Sequence, residues 1–292
     1  MNDKDILKLL EDSGLAAYKE RIAPLIFPSL RIGLEPVDDG AVPVGGSKLG
    51  GVPDLPPQTE WPSWKQYSMS FIAQIDLSEL PQPSPLPERG LLSFFYTVEG
   101  MYGDLEFYGD PDTCKVIYTE EAEQRTGLER REQPDKLSPD AVLRPNRLTY
   151  EQELCVPASE SAYLEDMGLG WGLNQELFEK YWDVFLSQYR ERAQKDGWSH
   201  RLLGHPDQIQ GDMQTACEKM TEWHSYSALP ESEARQRLLQ EATKWRLLLQ
   251  IDSEEEKTGM MWGDVGRIYF WIREDDLLSR RFDRVVCEMQ CS

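Results

Sequence analysis

The sequence contains few of the residues that build metal and redox sites. Its 292 residues include only three histidines and five cysteines, and no two cysteines have a Cys-x-x-Cys spacing. An odd number of scattered cysteines does not form a disulfide framework, so we interpret them as the reduced thiols of a cytoplasmic protein. Cys287 and Cys291 lie four residues apart, but no histidine is near them in the sequence. The sequence therefore predicts no metal site and no cofactor.

Long apolar segments are also missing. No stretch approaches the ~20 apolar residues of a membrane-spanning helix. Residues 1–5 have neither the basic start nor the apolar run of a signal peptide, so we expect none. We therefore expect no association with a membrane.

Negative charge is in large excess over positive charge. The sequence has 52 Asp and Glu residues against 31 Lys and Arg residues, which gives a net charge of −21. Such a field repels nucleic-acid phosphates and anionic lipids, so neither is an expected partner. It attracts cations, which makes a basic protein one expected partner and a small-molecule ligand the other. Solubility alone is the alternative explanation for this charge.

The composition favours a single compact α+β body over residues 1–292. The sequence is 40% hydrophobic, and its 21 glycines and 19 prolines occur in clusters that are typical of loops. A chain of this length can bury roughly three quarters of its unfolded surface, so a large core is available.

The sequence contains the same pattern twice. The tripeptide Gln-Ile-Asp occurs at 74–76 and at 250–252, and each copy is followed at fixed spacings by the same residues, Gly90 with Phe94 and Gly266 with Phe270. A long repeat predicts two copies of one supersecondary unit. We expect internally duplicated antiparallel β units, related by a pseudo-twofold axis and covered by peripheral helices. Repeat one covers about 30–120, a connector and helix cover 121–197, and repeat two covers about 198–290.

Hydrophobic periodicity predicts the individual elements. The predicted helices are 3–22, 174–195 and 231–243. The predicted strands are 29–35, 69–77, 91–98, 105–108, 114–119, 147–156, 244–252, 267–273 and 283–289. Glycines and prolines predict irregular loops at 36–66 and 202–214 and a proline-rich linker at 81–87.

Motifs in both halves of the chain resemble those of a known family. They are Ser47–Pro53, Trp61–Pro62, Phe71–Ile75 and Gly90–Phe95, followed by Leu203–Pro206, Leu248–Asp252, Trp262–Gly266 and Tyr269–Phe270. In order and spacing they resemble the YwqG family, a bacterial domain of unknown function. The resemblance implies a soluble bacterial α+β protein that contains a duplication. It implies no reaction and no catalytic residue.

The two Gln-Ile-Asp segments provide the first candidate site. Because side chains alternate along a strand, Gln74 projects to the same face as Asp76, and Gln250 to the same face as Asp252. A twofold relation would bring these four residues around a shared crevice between the repeats. In the alternative interpretation, each glutamine satisfies backbone groups of the nearby glycine- and proline-rich loop.

Further candidates lie in the turn at 262–266 and ahead of the two Gly-x-Pro turns. Asp264 is a candidate ligand-binding or acid/base carboxylate beside Trp262, and capping of the turn is the alternative. Lys48 and Arg201 occupy matching positions before the Gly-x-Pro turns, where we expect each to reach an acidic partner.

Two functions of different classes follow from these candidates. The first is a non-catalytic binding or interaction protein with a crevice between two repeats. The second is an enzyme, a hydrolase or transferase that uses Asp252 or Asp264 as a general base. We favour the first, because the sequence has no motif for a nucleophile, a metal or a phosphate site.

Overall fold

A curled antiparallel sheet of ten strands is the framework of the molecule. The computed structural model describes residues 1–125, 127–193, 197 and 199–292. Helices accompany the sheet, which confirms the predicted α+β class.

The strands are β1 Phe27–Pro36, β2 Lys48–Leu49, β3 Asp54–Leu55, β4 Ser63–Trp64, β5 Tyr67–Ser68, β6 Ser70–Asp76, β7 Leu91–Tyr96, β8 Cys114–Thr119, β9 Glu129–Arg130, β10 Asn146–Cys155, β11 His200–Leu202, β12 Trp245–Asp252, β13 Arg267–Arg273 and β14 Val286–Gln290. The α-helices are α1 Asp3–Leu10, α2 Lys19–Ile22, α3 Val98–Gly103, α4 Glu121–Arg125, α5 Ala162–Asp166, α6 Gln175–Glu179, α7 Ser187–Arg192, α8 Met213–Tyr226, α9 Glu231–Ala242, α10 Glu255–Thr258 and α11 Glu274–Leu278. Segments Glu11–Leu15 and Lys180–Leu186 are π-helical.

The strand order places the longest strand pair at the centre of the sheet. The order is β14-β13-β12-β11-β1-β10-β2-β6-β7-β8. β1 and β10 pair over their full length, from Phe27 opposite Cys155 to Pro36 opposite Asn146. On one side lies a C-terminal group, β11 to β14, and on the other an N-terminal group, β2 with β6 to β8.

The sheet curls until its two edges approach each other, so that it is nearly barrel-shaped. The Cys114 Sγ atom at the start of β8 lies 3.5 Å from the Val285 carbonyl oxygen just before β14. Inside, Phe94 of the N-terminal group contacts Phe270 of the C-terminal group with a ring separation of 5.2 Å. One apolar cluster therefore contains residues of both groups.

A second apolar cluster joins the N-terminal helices to the segment 181–189. The side chain of Asn2 accepts a hydrogen bond from the Asp5 backbone N–H at 3.1 Å, which provides the predicted N-cap of α1. Gly14, with a φ of 80°, interrupts the helical segment that was predicted as continuous over 3–22. In the described part of the chain, no helix is long and apolar enough to cross a membrane.

Most predicted strands are present, and two have the predicted bounds, 114–119 and 267–273. The prediction of a strand at 105–108 is wrong, because Asp104 accepts a hydrogen bond from the Glu106 backbone N–H and turns the chain there. Helix α8 was not predicted. The predicted helix 174–195 is helical over 175–192, and its positions 194 and 195 lie outside the described residues.

The contact between Phe94 and Phe270 leads to a prediction about cooperativity. Phe94→Ala removes a fully buried ring from the shared cluster, which should lower the free energy of unfolding by about 3–5 kcal/mol. Guanidinium titration, followed by both tryptophan fluorescence and far-UV circular dichroism, should show one transition that shifts as a whole. Tyr108→Ala, at an exposed ring, is the control and should leave the midpoint unchanged. Two transitions that do not coincide would contradict the single body.

Glu288 on β14 leads to a prediction about pH. Burial raises the pKa of Glu288 from 4.5 to about 7. Between pH 4.5 and about 7, Glu288 stays protonated in the folded protein but is ionised in the unfolded chain. The free energy of unfolding therefore falls as the pH rises through this range, and it remains lower above pH 7. Because the group is partly exposed, we expect Glu288→Gln to stabilise the protein by about 1–3 kcal/mol at pH 8. Urea unfolding at pH 4 should show no such gain, and an equal gain at both pH values would refute the assignment.

Candidate functional site

The predicted basic residues and glutamines lie opposite one another in the sheet. Lys48 on β2 is paired with Gln74 on β6, and Arg201 on β11 is paired with Gln250 on β12. All four side chains are almost fully buried. Each basic residue and its glutamine therefore form one buried polar unit.

Gln74 binds the chain on both sides of β2. Its Oε1 accepts a hydrogen bond from the Asp54 backbone N–H at 2.8 Å. Its Nε2 donates to the Gly46 carbonyl at 2.9 Å and to the Asp54 carboxylate at 2.7 Å. The amide therefore anchors the loop 46–54 to the sheet.

Gln250 makes the same set of contacts with a different loop. Its Oε1 accepts a hydrogen bond from the Asp207 backbone N–H at 2.9 Å. Its Nε2 donates to the Ser199 carbonyl at 2.6 Å and lies 3.4 Å from an Asp207 carboxylate oxygen. Both glutamines thus agree with the alternative interpretation, because each forms hydrogen bonds with backbone groups of a loop that contains glycine and proline.

The structure does not bring Gln74 and Gln250 together around a crevice. Four strands lie between β6 and β12 in the sheet order. The neighbours of Gln74, Ala73 and Ile75, belong to the shared apolar cluster, so the glutamine side chain projects from the opposite face of its strand. Each glutamine serves its own loop.

Lys48 and Arg201 are both neutralised by carboxylates, as expected. The Nζ atom of Lys48 lies 3.1 Å from Asp39 and 3.8 Å from Asp54. Arg201 has a larger set of partners, since its guanidinium lies 2.8 Å from Asp207 and 2.9 Å from Glu153, and donates to the His205 carbonyl at 2.6 Å.

The pKa of Arg201 reflects this setting. Burial alone would lower the pKa, but the acidic groups around the guanidinium, Asp207 foremost, outweigh burial and raise it above its ordinary value. Arg201 therefore remains charged at any pH at which the protein is folded.

The two predicted aspartates stabilise local structure. Asp76 caps a short 3₁₀ turn by accepting hydrogen bonds from the Ser78 backbone N–H at 2.9 Å and from its hydroxyl at 2.8 Å. Asp252 is 2% exposed, lies 2.9 Å from the Arg267 guanidinium and accepts a backbone N–H bond from Ser199 at 2.9 Å. Neither carboxylate faces the other.

The turn at 262–266 separates Trp262 from Asp264. Trp262 is fully buried, and its ring packs in a T-shaped arrangement with that of Tyr96, with the two ring centroids 6.0 Å apart. Asp264 is exposed to solvent, and its carbonyl oxygen accepts a hydrogen bond from the Ser292 N–H at 3.0 Å. Val265 next to it has a φ of 50°, which is unfavourable for a β-branched residue. The tryptophan is thus part of the core, and only the aspartate is accessible.

A cleft of about 570 Å³ lies beside the central strand pair. It is bounded by β1 and β10, by the proline segment 81–85 that follows β6, and by Leu203 just after β11. Tyr189 and Ala193 cover it from the helical side. The cleft therefore lies where the N-terminal and C-terminal groups meet, although its lining differs from the predicted one.

Charged residues form one surface of the cleft. Arg31 and Glu151 line it and are cross-strand partners, so their side chains project from the same face of the sheet. Glu153, which also lines it, lies 3.6 Å from the Arg31 guanidinium and 2.9 Å from that of Arg201. The predicted site residue Arg201 is thereby connected to the cleft.

Sequence analysis did not identify the lining residues Arg31, Glu151 and Glu153. They lie on strands about 120 positions apart and form no compact motif. The alternation of charged and apolar residues on β1 indicates that one face of the strand is polar. It does not indicate which segments of the chain cover that face. In the described ranges of the chain, no group of three or more His, Cys, Asp and Glu side chains is placed to hold a metal ion.

Comparison with known proteins places the chain in a family. A family model described as a domain of unknown function, DUF1963, matches residues 47–291. The chain belongs to this family. No curated protein matches it. The match spans both strand groups and β10, whereas the β1 side of the cleft, with Arg31, precedes the matched residues. The family description carries no activity.

The shared role of the two glutamines leads to a prediction. Gln74→Leu and Gln250→Leu each leave a backbone N–H and a backbone carbonyl of the covering loop without their partners at a buried or partly buried site, so each should lower the free energy of unfolding by about 1–3 kcal/mol. Gln152→Leu, at an exposed position on β10, is the matched control and should cost less than about 0.5 kcal/mol. Urea titrations of the three variants provide the measurement. A buried glutamine that could be replaced as cheaply as Gln152 would rule out the anchoring role.

Proposed function

We propose that this protein is a non-catalytic binding protein whose ligand occupies the cleft beside β1 and β10. The observation that carries the proposal is the cleft itself, which has about 570 Å³ and lies between the two strand groups. This volume falls within the range of small-molecule sites, and a few charged groups beside apolar walls are typical of such sites.

We further propose that the chain is an internal duplication with a pseudo-twofold axis through the middle of the β1–β10 pair. The register supports this, because Arg31 lies opposite Glu151 while Arg147 lies opposite Glu35 in the reverse sense. The equivalent bonds of Gln74 and Gln250 support it as well. The contact between the equivalent phenylalanines of the two groups would lie on the same axis.

Under this relation the cleft has a counterpart that is filled. Arg144 and Asn146 occupy the corresponding place, where the Arg144 guanidinium donates to the Glu256 carbonyl at 3.0 Å. The Asn146 amide donates to the Lys257 carbonyl at 3.3 Å. The segment 256–259 thus packs onto the strand on that side, whereas its counterpart 80–83 borders the open cleft. This asymmetry favours one ligand per chain.

The enzymatic alternative is a hydrolase or transferase with Asp252 or Asp264 as the base. Asp252 already binds Arg267 and backbone N–H groups and is almost inaccessible. Asp264 is accessible, but it lies in an exposed turn and does not line the cleft. The geometry therefore supports binding better than acid/base chemistry.

We also propose a bacterial, YwqG-like and cytoplasmic setting. None of the five cysteines, all of which are among the described residues, forms a disulfide, as suits a reducing compartment. The domain of unknown function that matches the chain is compatible with the YwqG resemblance. A basic protein remains the second proposed class of partner, on the strength of the net charge of −21.

The proposal is tested by blocking the cleft. A thermal-shift screen of small metabolites against the whole chain should identify ligands that raise the melting temperature. Glu151→Trp places a large ring in the cleft at an exposed position, on the same face of the sheet as Arg31, and should weaken binding of those ligands at least tenfold in calorimetry.

The control for this experiment is Glu35→Trp, an equally exposed position at the other end of the central strand pair that does not line the cleft. It should bind as the unaltered chain does. A ligand that binds Glu151→Trp with full affinity, or a screen without any stabilising ligand, would refute the proposed function.

A further inference from the structure

The two strand ends of the central pair carry the same charged residues in different arrangements. Arg147 and Glu35 are cross-strand partners and form a direct ion pair of 3.3 Å. Arg31 and Glu151 are also cross-strand partners, but the Arg31 guanidinium lies 3.6 Å from Glu153 instead. The strand register alone therefore does not prevent Arg31 from pairing with Glu151.

Arg31 and Glu151, which do not pair with each other, have unused hydrogen-bonding groups inside the cleft. Among the described residues, the two terminal nitrogens of Arg31 form no hydrogen bond, and the exposed Glu151 carboxylate forms neither a hydrogen bond nor an ion pair. Both side chains line the same cleft. The cleft thus presents a hydrogen-bond donor group of positive charge and an acceptor group of negative charge side by side.

We infer that the ligand of the cleft is a small zwitterion that carries an amino group and a carboxylate, as a free amino acid does. This inference rests on the proposed function of the cleft. A guanidinium holds a carboxylate through two parallel N–H bonds. A carboxylate such as that of Glu151 accepts hydrogen bonds from an ammonium group.

Charge balance argues against a simple anion. The charges of Arg31 and Arg201 are already offset by Glu153 and Asp207, which lie within ion-pair distance of them. Glu151 then adds a negative charge to a chain that carries −21 overall. An anion without an amino group would face this carboxylate without compensation.

The walls of the cleft favour an apolar side chain on the ligand. Pro81, Pro83 and Pro85 line one side and Leu203 another. These residues offer apolar surface, so contact with an aliphatic group adds affinity in proportion to the area buried. Aliphatic amino acids combine this group with the two charges, and L-leucine is therefore the reference probe.

The test compares L-leucine with two derivatives that each lack one charge. Leucinamide lacks the carboxylate and N-acetyl-leucine lacks the ammonium group. In calorimetry with the whole chain, L-leucine should bind, and each derivative should bind at least tenfold more weakly. Glu151→Gln and Arg31→Gln should each weaken L-leucine binding at least tenfold. Glu151→Gln should instead strengthen the binding of N-acetyl-leucine, because it removes the carboxylate that faces this anion.

The matched controls are Glu35→Gln and Arg147→Gln, which alter the equivalent pair outside the cleft. Both should bind L-leucine within twofold of the unaltered chain. Equal affinity for the derivatives, or no binding by any of the twenty amino acids while another ligand responds to Glu151→Trp, would overturn the zwitterion and leave the binding function standing. If no ligand responds to Glu151→Trp, both proposals fail.

Discussion

The rest of the structure depends on the need of two buried glutamine amides for hydrogen-bond partners. An amide carries two donors and an acceptor oxygen, and leaving them unpaired in an apolar setting would cost several kcal/mol in total. Gln74 and Gln250 lie on strands whose neighbouring residues form the core, so the loops must come to them. Gly51 and Gly204 allow this close approach, because their φ values of 73° and 82° are unfavourable for other residues.

The same loops explain why an acidic chain buries two cations. Each loop brings an aspartate to the sheet, and a basic side chain on the adjacent strand neutralises it. Buried ion pairs of this kind contribute more to the choice of one arrangement than to stability. Lys48 is a compact charge that reaches two aspartates, whereas the planar group of Arg201 also reaches Glu153 on the central strand. That extra contact connects the C-terminal loop to the cleft.

Local patterns allowed most of the sheet to be predicted, but the cleft depends on long-range relations. Strands 114–119 and 267–273 are bounded by turn residues and have strong β propensity, so their limits were evident. Helix α8 has a buried side formed by Met213, Cys217 and Tyr226, but the stripe is sparse and its polar residues conceal the period. The charged lining of the cleft joins β1 to β10, and only the register of the folded sheet reveals which residues face each other. The glutamine anchors lay between these extremes, since their contact with the glycine- and proline-rich loops was one of the two predicted alternatives, whereas the predicted crevice shared by Gln74 and Gln250 is not formed.

The internal duplication that we propose would explain the open cleft by a difference in side-chain chemistry at two corresponding positions. On the closed side, the Arg144 backbone N–H donates to the Thr258 carbonyl at 2.7 Å, and the Asn146 side chain donates to Lys257. On the open side, the positions that correspond to Arg144 and Asn146 are Pro28 and Leu30. Proline has no N–H and leucine has no polar side chain, so neither can hold the opposite segment by hydrogen bonds. Segment 81–85 is itself rich in proline and offers few donors in return. Within the proposed duplication, the cleft beside β1 and β10 thus results from the lack of donors on one side, and Arg31 and Glu151 remain available to the proposed ligand.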